Sequence, residues 1–329
     1  MAASGSSAFK PVELSAYQAQ KLETLMKQQV QDAILARSMQ VAKDHKLDSN
    51  WRFVSSLGQL KTFKLSGADP CTSTSSWATT LDKTSRATAY SINGDDFGST
   101  DRHTWSTRST RSRWRNTPVS RLTVSSICGR RDPLDPQPPL QSFRTFGRVQ
   151  GNYKDIVDVH YATNSADFVR KQKLLSSATL DAAVLRTIRA TKDSYLGIKW
   201  IAENSFSGKR DICFVEMVGY TINTNGQEIG FVASASVDVP ECPELSSGLK
   251  LSRVRRKSTM LFLPTADSPK VTSEVFVMGA SEASEVLIMG NTQYRLNMAV
   301  LNDISLVIGV LLPRLLYGSK HSQMYELHY

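Results

Sequence analysis

The clearest structural pattern in the chain lies at 211–239, which reads DICFVEMVGYTINTNGQEIGFVASASVDV. Two apolar runs flank the turn residues 223–226, and the Asn-Gly pair in this turn is typical of a β-hairpin. From Ile229 to Val237 every second residue is apolar and the others are mostly small or polar, as expected for a strand with one buried face. This pattern predicts two antiparallel strands, 211–222 and 228–239.

Further strand-like runs, separated by turn residues, lie on both sides of this hairpin. Together they predict a meander of five strands at 195–202, 211–222, 228–239, 249–263 and 271–279. Upstream of the meander, 51–65 alternates apolar and polar residues around a bend at Gly58, and 143–150 is a further strand-like run. The second half of the chain is therefore expected to be mainly β-structure.

Apolar residues at intervals of three and four positions predict the helices. The first helix is 14–46, and Ser15 with Gln18 fits a capping box at its start. The remaining helices are predicted at 153–161, 167–175, 178–189 and 292–312. Because strands do not alternate regularly with helices, a parallel sheet is not indicated. The order of elements predicts an α+β fold in which a curved antiparallel sheet wraps around the long C-terminal helix.

Composition and charge fit a globular protein with one unusual segment. Of the 329 residues, 40% are hydrophobic and 21% are charged, which suffices for a substantial core. Much of the net charge of +10 comes from arginines at 102–131. Ser, Thr, Arg, Pro and Gly dominate 66–138, so we predict that this segment is a long, largely disordered insertion rather than a second domain.

Cysteine spacing and the length of apolar runs indicate in which cellular compartment the protein is expected. The four cysteines are widely spaced without a C-x-x-C pair, which argues against a zinc finger and against a disulfide framework. Residues 1–14 lack the apolar core of a secretory signal. The longest apolar run, 304–312, is shorter than the roughly 18 residues that a membrane helix needs. We therefore expect a cytoplasmic protein that associates with membranes at most peripherally.

Several motifs together resemble a known family. The motifs are FGRVQG at 146–151, DIVDVHYA at 155–162, GIKW at 197–200, RDICFVEMVG at 210–219 and VDVPECP at 237–243. Their order and spacing are similar to those of the START-like (StAR-related lipid-transfer) domain family, in the subfamily often found with a FYVE finger. The resemblance covers 143–317 and, more loosely, 9–65.

The resemblance implies a helix-grip fold whose sheet and C-terminal helix enclose a tunnel for a sterol, phospholipid or similar ligand. It also implies one START-like domain at 9–317, with the insertion 66–138 inside it and a tail at 318–329. Many relatives carry a FYVE zinc finger that binds phosphoinositides, but this chain has no paired cysteines. Membrane targeting through such a finger is therefore not carried over.

No recognisable catalytic motif is present in the sequence. The chain has no G-x-S-x-G, no G-x-x-x-x-G-K-[ST] and no H-E-x-x-H, and its five histidines are scattered. His160 could act as a base or a ligand, although a hydrogen-bonded structural histidine is the favoured interpretation. We therefore expect no enzymatic activity, no metal and no cofactor.

Glu216 is the most informative charged residue. It alternates with Ile212, Phe214, Val218 and Tyr220, so it shares their face of the predicted strand. A carboxylate on an interior face is costly unless it is paired or hydrogen-bonded. The resemblance implies that a polar group here projects into the cavity, where Glu216 and a basic partner would orient a hydroxyl or amine. A purely structural ion pair is the alternative, and the sequence leaves both open.

Other candidate residues follow from the same resemblance. Arg210 and Asp211 resemble the family's strand-start pair, for which a structural role is favoured. The candidates for the apolar lining of the cavity are Trp200, Phe214, Phe231, Met278, Met298, Leu301 and Val307. Each of these residues could equally belong to a filled core, since interiors need such side chains too.

The arginine-rich part of the insertion has several interpretations. Its tryptophan among arginines suits contact with an anionic membrane surface, and nucleic acid is the less favoured partner. The residues proposed for this contact are Arg108, Arg111, Arg113, Arg115 and Trp114. Neighbouring serines and threonines also suit phosphorylation, which would cancel charge. A solvated loop without a dedicated partner weighs as much as the other interpretations combined.

The leading hypothesis for function is a START-like protein that holds a lipid or sterol-like ligand in an internal hydrophobic cavity, for transfer or sensing. The first alternative is a ligand-free START-like scaffold for protein interaction or membrane docking. A helix-grip enzyme is the less favoured second alternative, because Glu216 is the one plausible titratable group for its cavity. The sequence indicates neither the ligand nor the oligomeric state.

Overall fold

The computed structural model describes residues 9–66, 79–80, 140–205, 208–244, 251–265, 272–282, 292–304 and 307–308. The strands within these ranges are β1 (Trp51–Leu57), β2 (Leu60–Leu65), β3 (Thr79–Thr80), β4 (Leu140–Gln150), β5 (Thr179–Ala190), β6 (Ser194–Ser205), β7 (Gly208–Ile222), β8 (Glu228–Asp238), β9 (Ser252–Arg253), β10 (Arg256–Pro264) and β11 (Thr272–Glu282). The helices are α1 (Ala16–Ala42), α2 (Tyr153–His160), α3 (Ser165–Leu175) and α4 (Thr292–Asn302).

One large antiparallel sheet organises the molecule. Its strand order is β1-β2-β4-β11-β10-β8-β7-β6-β5, while β3 and β9 add short parallel pairings to β8 and β7. The predicted meander and its central hairpin are confirmed, since β6 to β8, β10 and β11 pair antiparallel with their neighbours. β2 pairs with β4, so the chain before and after the insertion contributes to the same sheet.

Helix α1 covers one face of the sheet, which we call the α1 face. The predicted capping box is confirmed, because Gln18 N–H donates to Ser15 Oγ and Ser15 N–H donates to Gln18 Oε1. Leu22, Met26 and Val30 are buried along one side of α1, as the helical spacing predicts. The buried amide of Gln29 donates to the sheet at Ser234 O, Ser258 O and Thr259 Oγ1.

The opposite face of the sheet, which we call the α4 face, carries the other helices. Helix α2 packs against β7, β8 and β10, helix α3 packs against β5, and α4 packs against β1, β2 and β4. Tyr294, Met298 and Leu301 of α4 join the same buried cluster as Val232 and Phe262 of the sheet. A curved antiparallel sheet with the C-terminal helix on one face is the predicted α+β helix-grip arrangement.

One predicted helix is wrong: residues 178–189 form the edge strand β5. The apolar residues that suggested a helix are Leu180, Val184, Leu185 and Ile188. Three register shifts interrupt the alternation of β5, between Thr179 and Asp181, Val184 and Arg186, and Thr187 and Arg189. Such bulges insert extra residues, so side chains on one face no longer follow a period of two. Leu180, Leu185 and Ile188 therefore all pack into the α1-face core despite their irregular spacing.

The other predicted segments are described in part. Helices α2 and α3 match the predictions at 153–161 and 167–175 closely. Helix α4 covers the first part of the predicted 292–312, of which residues 305–306 and 309–312 lie outside the described ranges. The same is true of the insertion, apart from Ser66 and residues 79–80, and of the tail 318–329. In the described ranges, helices are too short or too polar to cross a membrane.

Candidate functional site

A buried ion pair lies on the α4 face, where β6 and β7 pair near one end of the strand order. In the β6–β7 register Gly197 pairs with Glu216 and Lys199 pairs with Phe214, so Lys199 and Glu216 are diagonal neighbours on one face. Lys199 Nζ donates a hydrogen bond to Glu216 Oε2. The side chains are 0% and 6% exposed, so both charges are removed from water. The basic partner expected for Glu216 is therefore Lys199.

Aromatic rings enclose the ammonium of Lys199. Its Nζ lies 4.5 Å from the ring centroid of Phe168 on α3 and 4.4 Å from that of Tyr195 on β6. Ring faces attract cations, and the attraction is stronger where water is excluded. The ring of Tyr195 reaches Lys199 across Gly197, where a Cβ atom would lie 2.1 Å from Tyr195 Oη. Glycine at this position thus leaves the space in which the cluster forms.

His160, at the end of α2, borders the same cluster. Its ring stacks on Phe262 of β10, with centroids 6.5 Å apart and an interplanar angle of 25°. Burial, helped by the charges of Lys199 and Lys171, lowers the pKa of His160 to about 4, so the imidazole is neutral at pH 7. Its Nε2 atom is buried without a hydrogen-bond partner in the part of the chain that the structure describes.

Burial also shifts the pKa values of Lys199 and Tyr195, which lie two residues to either side of Gly197. Desolvation lowers the pKa of Lys199, although Glu216 opposes this effect. Desolvation raises the pKa of Tyr195, with a smaller contribution from Glu216. An ammonium has three N–H donors, and one of those on Lys199 is engaged by Glu216. The pair therefore retains capacity to donate to, and accept from, a polar group that reaches this otherwise apolar region.

The eight residues predicted to line a cavity do not share one face. Glu216, Phe214, Met298, Leu301 and Val307 lie on the α4 face. Trp200, Phe231 and Met278 lie on the α1 face, where they pack into the core beneath α1. The first group alone lies on the face of the sheet that carries α4. We therefore restrict the candidate lining to those five residues.

The predicted pair Arg210 and Asp211 consists of two separate contacts. Arg210 donates from Nε and Nη2 to Glu203 Oε2, at 3.2 and 3.0 Å. Asp211 instead accepts from Arg253 Nε at 3.0 Å, from Arg253 Nη2 at 2.8 Å and from Trp200 Nε1 at 2.8 Å. These bonds join β6, β7 and β9, so both residues hold strands together.

Sequence reasoning did not identify Lys199, Tyr195, Phe168 or Arg253. A signal existed for Lys199, because a lysine within the apolar run 195–202 stands out, and the hairpin register places it diagonal to Glu216. No comparable signal existed for Phe168, which reaches the cluster from a different element. The arginine-rich contact residues Arg108, Arg111, Arg113, Arg115 and Trp114 lie outside the described ranges. No set of three or more metal-ligating side chains occurs within those ranges.

Comparison with known proteins gives matches among solved structures alone. No family model matches the chain, and no curated protein matches it. The chain is similar to human STARD10, with 10% identity, a TM-score of 0.43 and coverage of 88% of this chain and 83% of that chain. It is also similar to human StAR-related lipid transfer protein 5, with 10% identity, a TM-score of 0.38 and coverage of 78% and 82%. For the STAR-related lipid transfer protein from Xanthomonas axonopodis, the identity is 12%, the TM-score 0.37 and the coverage 77% and 99%.

Proposed function

We propose that the chain binds a lipid or sterol-like ligand between the sheet and α4, with the Lys199–Glu216 pair holding the ligand's polar group. The buried ion pair is the observation that carries this proposal. Isolated charges are costly in an apolar interior, and a pair with one hydrogen bond recovers little of that cost. A ligand hydroxyl or carbonyl would supply the remaining hydrogen bonds.

The surroundings of the pair favour an amphipathic ligand with one polar end. Phe214 precedes Glu216 by two residues on β7, and Met298 and Leu301 are buried apolar residues of α4 on the same face of the sheet. Burying apolar ligand surface against them would contribute about 25 cal/mol per Å², so the hydrocarbon part supplies most of the affinity. The ion pair then fixes the orientation and selects for a polar group at one end.

Binding on this account needs no covalent step, metal or cofactor. The ligand would enter while α4 or an adjacent loop moves away from β1 and β2, and it would be released by the same movement. The motifs at 143–317 that resemble the START-like family support this mode of action. We propose a cytoplasmic location, from which the protein would exchange its ligand with membranes.

Native mass spectrometry of the purified chain tests this function. We expect the wild-type protein to carry a co-purifying lipid, and Lys199→Met to lose it. Lys257→Met is the matched control, because Lys257 lies on β10 and pairs in register with Ala235 on the α1 face. This control should retain the lipid. A wild-type protein without bound lipid, which also fails to take up a fluorescent fatty acid or sterol, would support the ligand-free scaffold instead.

A further inference from the structure

A pocket of about 290 Å³ lies on the α1 face at the C-terminal end of α1. Its walls come from the end of α1, the β1–β2 hairpin, β4 and β11. It is therefore on the opposite side of the sheet from Lys199 and Glu216. Sites for small molecules typically enclose about 300–1,000 Å³, so this volume suits a ligand of headgroup size.

Gln40 is the unusual residue of this pocket. It is 3% exposed, and neither Nε2 nor Oε1 of its side chain has a hydrogen-bond partner among the residues that the structure describes. Buried amides are nearly always hydrogen-bonded, because an unpaired polar group destabilises the fold. Gln40 borders the pocket directly. A ligand that both accepts and donates a hydrogen bond would satisfy this amide.

Positive charge dominates the same walls. Arg37, Lys61 and Arg148 border the pocket, against the single carboxylate of Glu274. Arg37 donates from Nε and Nη2 to Glu274 Oε1, at 3.0 and 2.8 Å. Lys61 and Arg148 have no ion-pair partner within the described ranges, so two positive charges remain uncompensated.

The negative end of helix α1 does not cancel this charge. Its terminal carbonyl groups are occupied, because Lys43 N–H donates to Met39 O and Gln40 O, and His45 N–H donates to Gln40 O. Satisfied carbonyl groups present less of the partial negative charge that a helix C-terminus otherwise carries. An anion in the pocket therefore faces mainly cationic side chains.

The lack of a side chain at Gly147 allows the β1–β2 turn to pack against β4, and both elements border the pocket. Gly147 on β4 has a φ of +152°, and a Cβ atom there would lie 2.1 Å from Gln59 O. The hairpin turn at 58–59 thus rests directly on β4 and places Lys61 beside Arg148 along the pocket wall. The backbone packing at Gly147 therefore fixes the shape of this pocket, while the exposed side chains of Lys61 and Arg148 supply its charge.

We propose that this pocket binds a phosphomonoester that also carries a hydroxyl group. The phosphoryl oxygens would accept from Lys61, Arg148 and the Gln40 amide nitrogen, while the hydroxyl would donate to Gln40 Oε1. A doubly charged phosphoryl group matches the two uncompensated cations, and arginine suits phosphate because its N–H groups form a planar fork. The group could come from a soluble metabolite or from a lipid headgroup, since the shared chemistry is the phosphomonoester.

Calorimetric titration with glycerol 3-phosphate and sedimentation with vesicles test the proposal on the full chain. The vesicles contain phosphatidylcholine alone or with lysophosphatidic acid, whose headgroup combines a phosphomonoester with a free hydroxyl. Lys61→Gln/Arg148→Gln should weaken binding at least about tenfold, the loss expected for one charge-assisted contact. Lys43→Gln/Lys46→Gln is the matched control, because these lysines border a neighbouring pocket and carry the same charge. Its affinity should match that of the wild type.

Gln40→Leu separates ligand binding from folding. Replacing an unpaired buried amide by an apolar side chain of similar size should leave stability unchanged or raise it. Ligand affinity should nevertheless fall about tenfold with the lost hydrogen bonds. Binding to glycerol 3-phosphate supports a soluble ligand, and binding to lysophosphatidic acid vesicles alone supports a lipid headgroup. Absence of binding to either probe, or equal losses in the control variant, would overturn the proposal.

Discussion

Two buried ion pairs lie on opposite faces of the same sheet, and they differ in how fully hydrogen bonds satisfy them. On the α1 face, both oxygens of Asp211 accept from Arg253, and Trp200 Nε1 adds a third bond. The remaining donors of Arg253 reach the carbonyl oxygens of Cys242 and Pro243. On the α4 face, a single hydrogen bond joins Lys199 to Glu216.

We propose that this difference separates a structural charge cluster from one that binds a ligand. A fully satisfied network has no free donors or acceptors for a ligand, so it stabilises the fold and specifies how strands meet. Among the described residues, one hydrogen bond of the Lys199 ammonium is present, and the Nε2 atom of His160, whose pKa the charge of Lys199 lowers, has no partner. These groups are what a polar ligand group can recognise.

The largest stability change is expected from Asp211→Ala. This substitution leaves the guanidinium of Arg253 buried and unpaired, and Arg253 is unable to lose its proton. Removing one partner of a buried pair costs about 3–5 kcal/mol of unfolding free energy, measurable by urea denaturation. Asp48→Ala is the control, since Asp48 pairs with Lys43 at the surface and its loss should lower the unfolding free energy far less. Equal effects of the two substitutions would refute a structural role for the Asp211 cluster.

A smaller loss is expected from Glu216→Leu, which removes the partner of Lys199. Burial already lowers the pKa of Lys199, so the stranded amine can shed its proton and escape part of the penalty. We expect a loss of roughly 2–4 kcal/mol near neutral pH, decreasing as the pH rises and the amine becomes neutral. The double variant Lys199→Met/Glu216→Leu should regain stability within about 1 kcal/mol of the wild type. Failure of the double variant to regain stability would mean that the pair is structural.

The next largest effect is a loss of unfolding free energy at low pH, caused by the buried neutral imidazole of His160 on the α4 face. The pKa of His160 is about 4 in the folded protein, below its ordinary value of 6.5. Between these values the unfolded state binds more protons, so this contribution to stability is complete above about pH 6.5 and is lost as the pH falls. Going from pH 7 to pH 4.5 should cost the wild type about 2 kcal/mol more than His160→Gln, in urea titrations at each pH. Parallel pH profiles of the two proteins would contradict the burial of a neutral imidazole.

The smallest loss of unfolding free energy is expected from Gln29→Leu, which weakens the contact between α1 and the sheet. Gln29→Leu removes the three hydrogen bonds of the Gln29 amide and leaves Ser234 O and Ser258 O without this donor. We expect a loss of about 1–2 kcal/mol by urea denaturation, with lipid binding unchanged because α1 covers the other face. Weakened lipid binding in this variant would show that the two faces do not act independently.

Much of the fold could be predicted from local patterns. The capping box at Ser15, the turn at 223–226 and the alternation in β8 are short-range features that the structure retains. The prediction of a helix at 178–189 was wrong because bulges in β5 give its apolar residues a spacing close to that of a helix. Bulges depend on pairing with a neighbouring strand, so no window of sequence reveals them.

The candidate site could be predicted only in part. Alternation placed Glu216 correctly on the same face as Phe214. It could not show that Trp200 and Phe231 lie beneath α1, because both faces of this sheet are buried and both sets of alternating positions are apolar. Phe168 and His160 join Lys199 from α3 and α2, and contacts between distant elements depend on the tertiary fold.

Lipid occupancy of the double variant Lys199→Met/Glu216→Leu tests most directly whether the α4-face pair binds a polar ligand group. Native mass spectrometry would compare the fraction of lipid-bound protein in this variant and in the wild type. Urea denaturation would first show that the two proteins have similar unfolding free energies. We predict that the variant folds as stably as the wild type but carries at least about tenfold less co-purifying lipid, the effect of losing one buried polar contact. Equal lipid occupancy in the two proteins would contradict a ligand-binding role for Lys199 and Glu216.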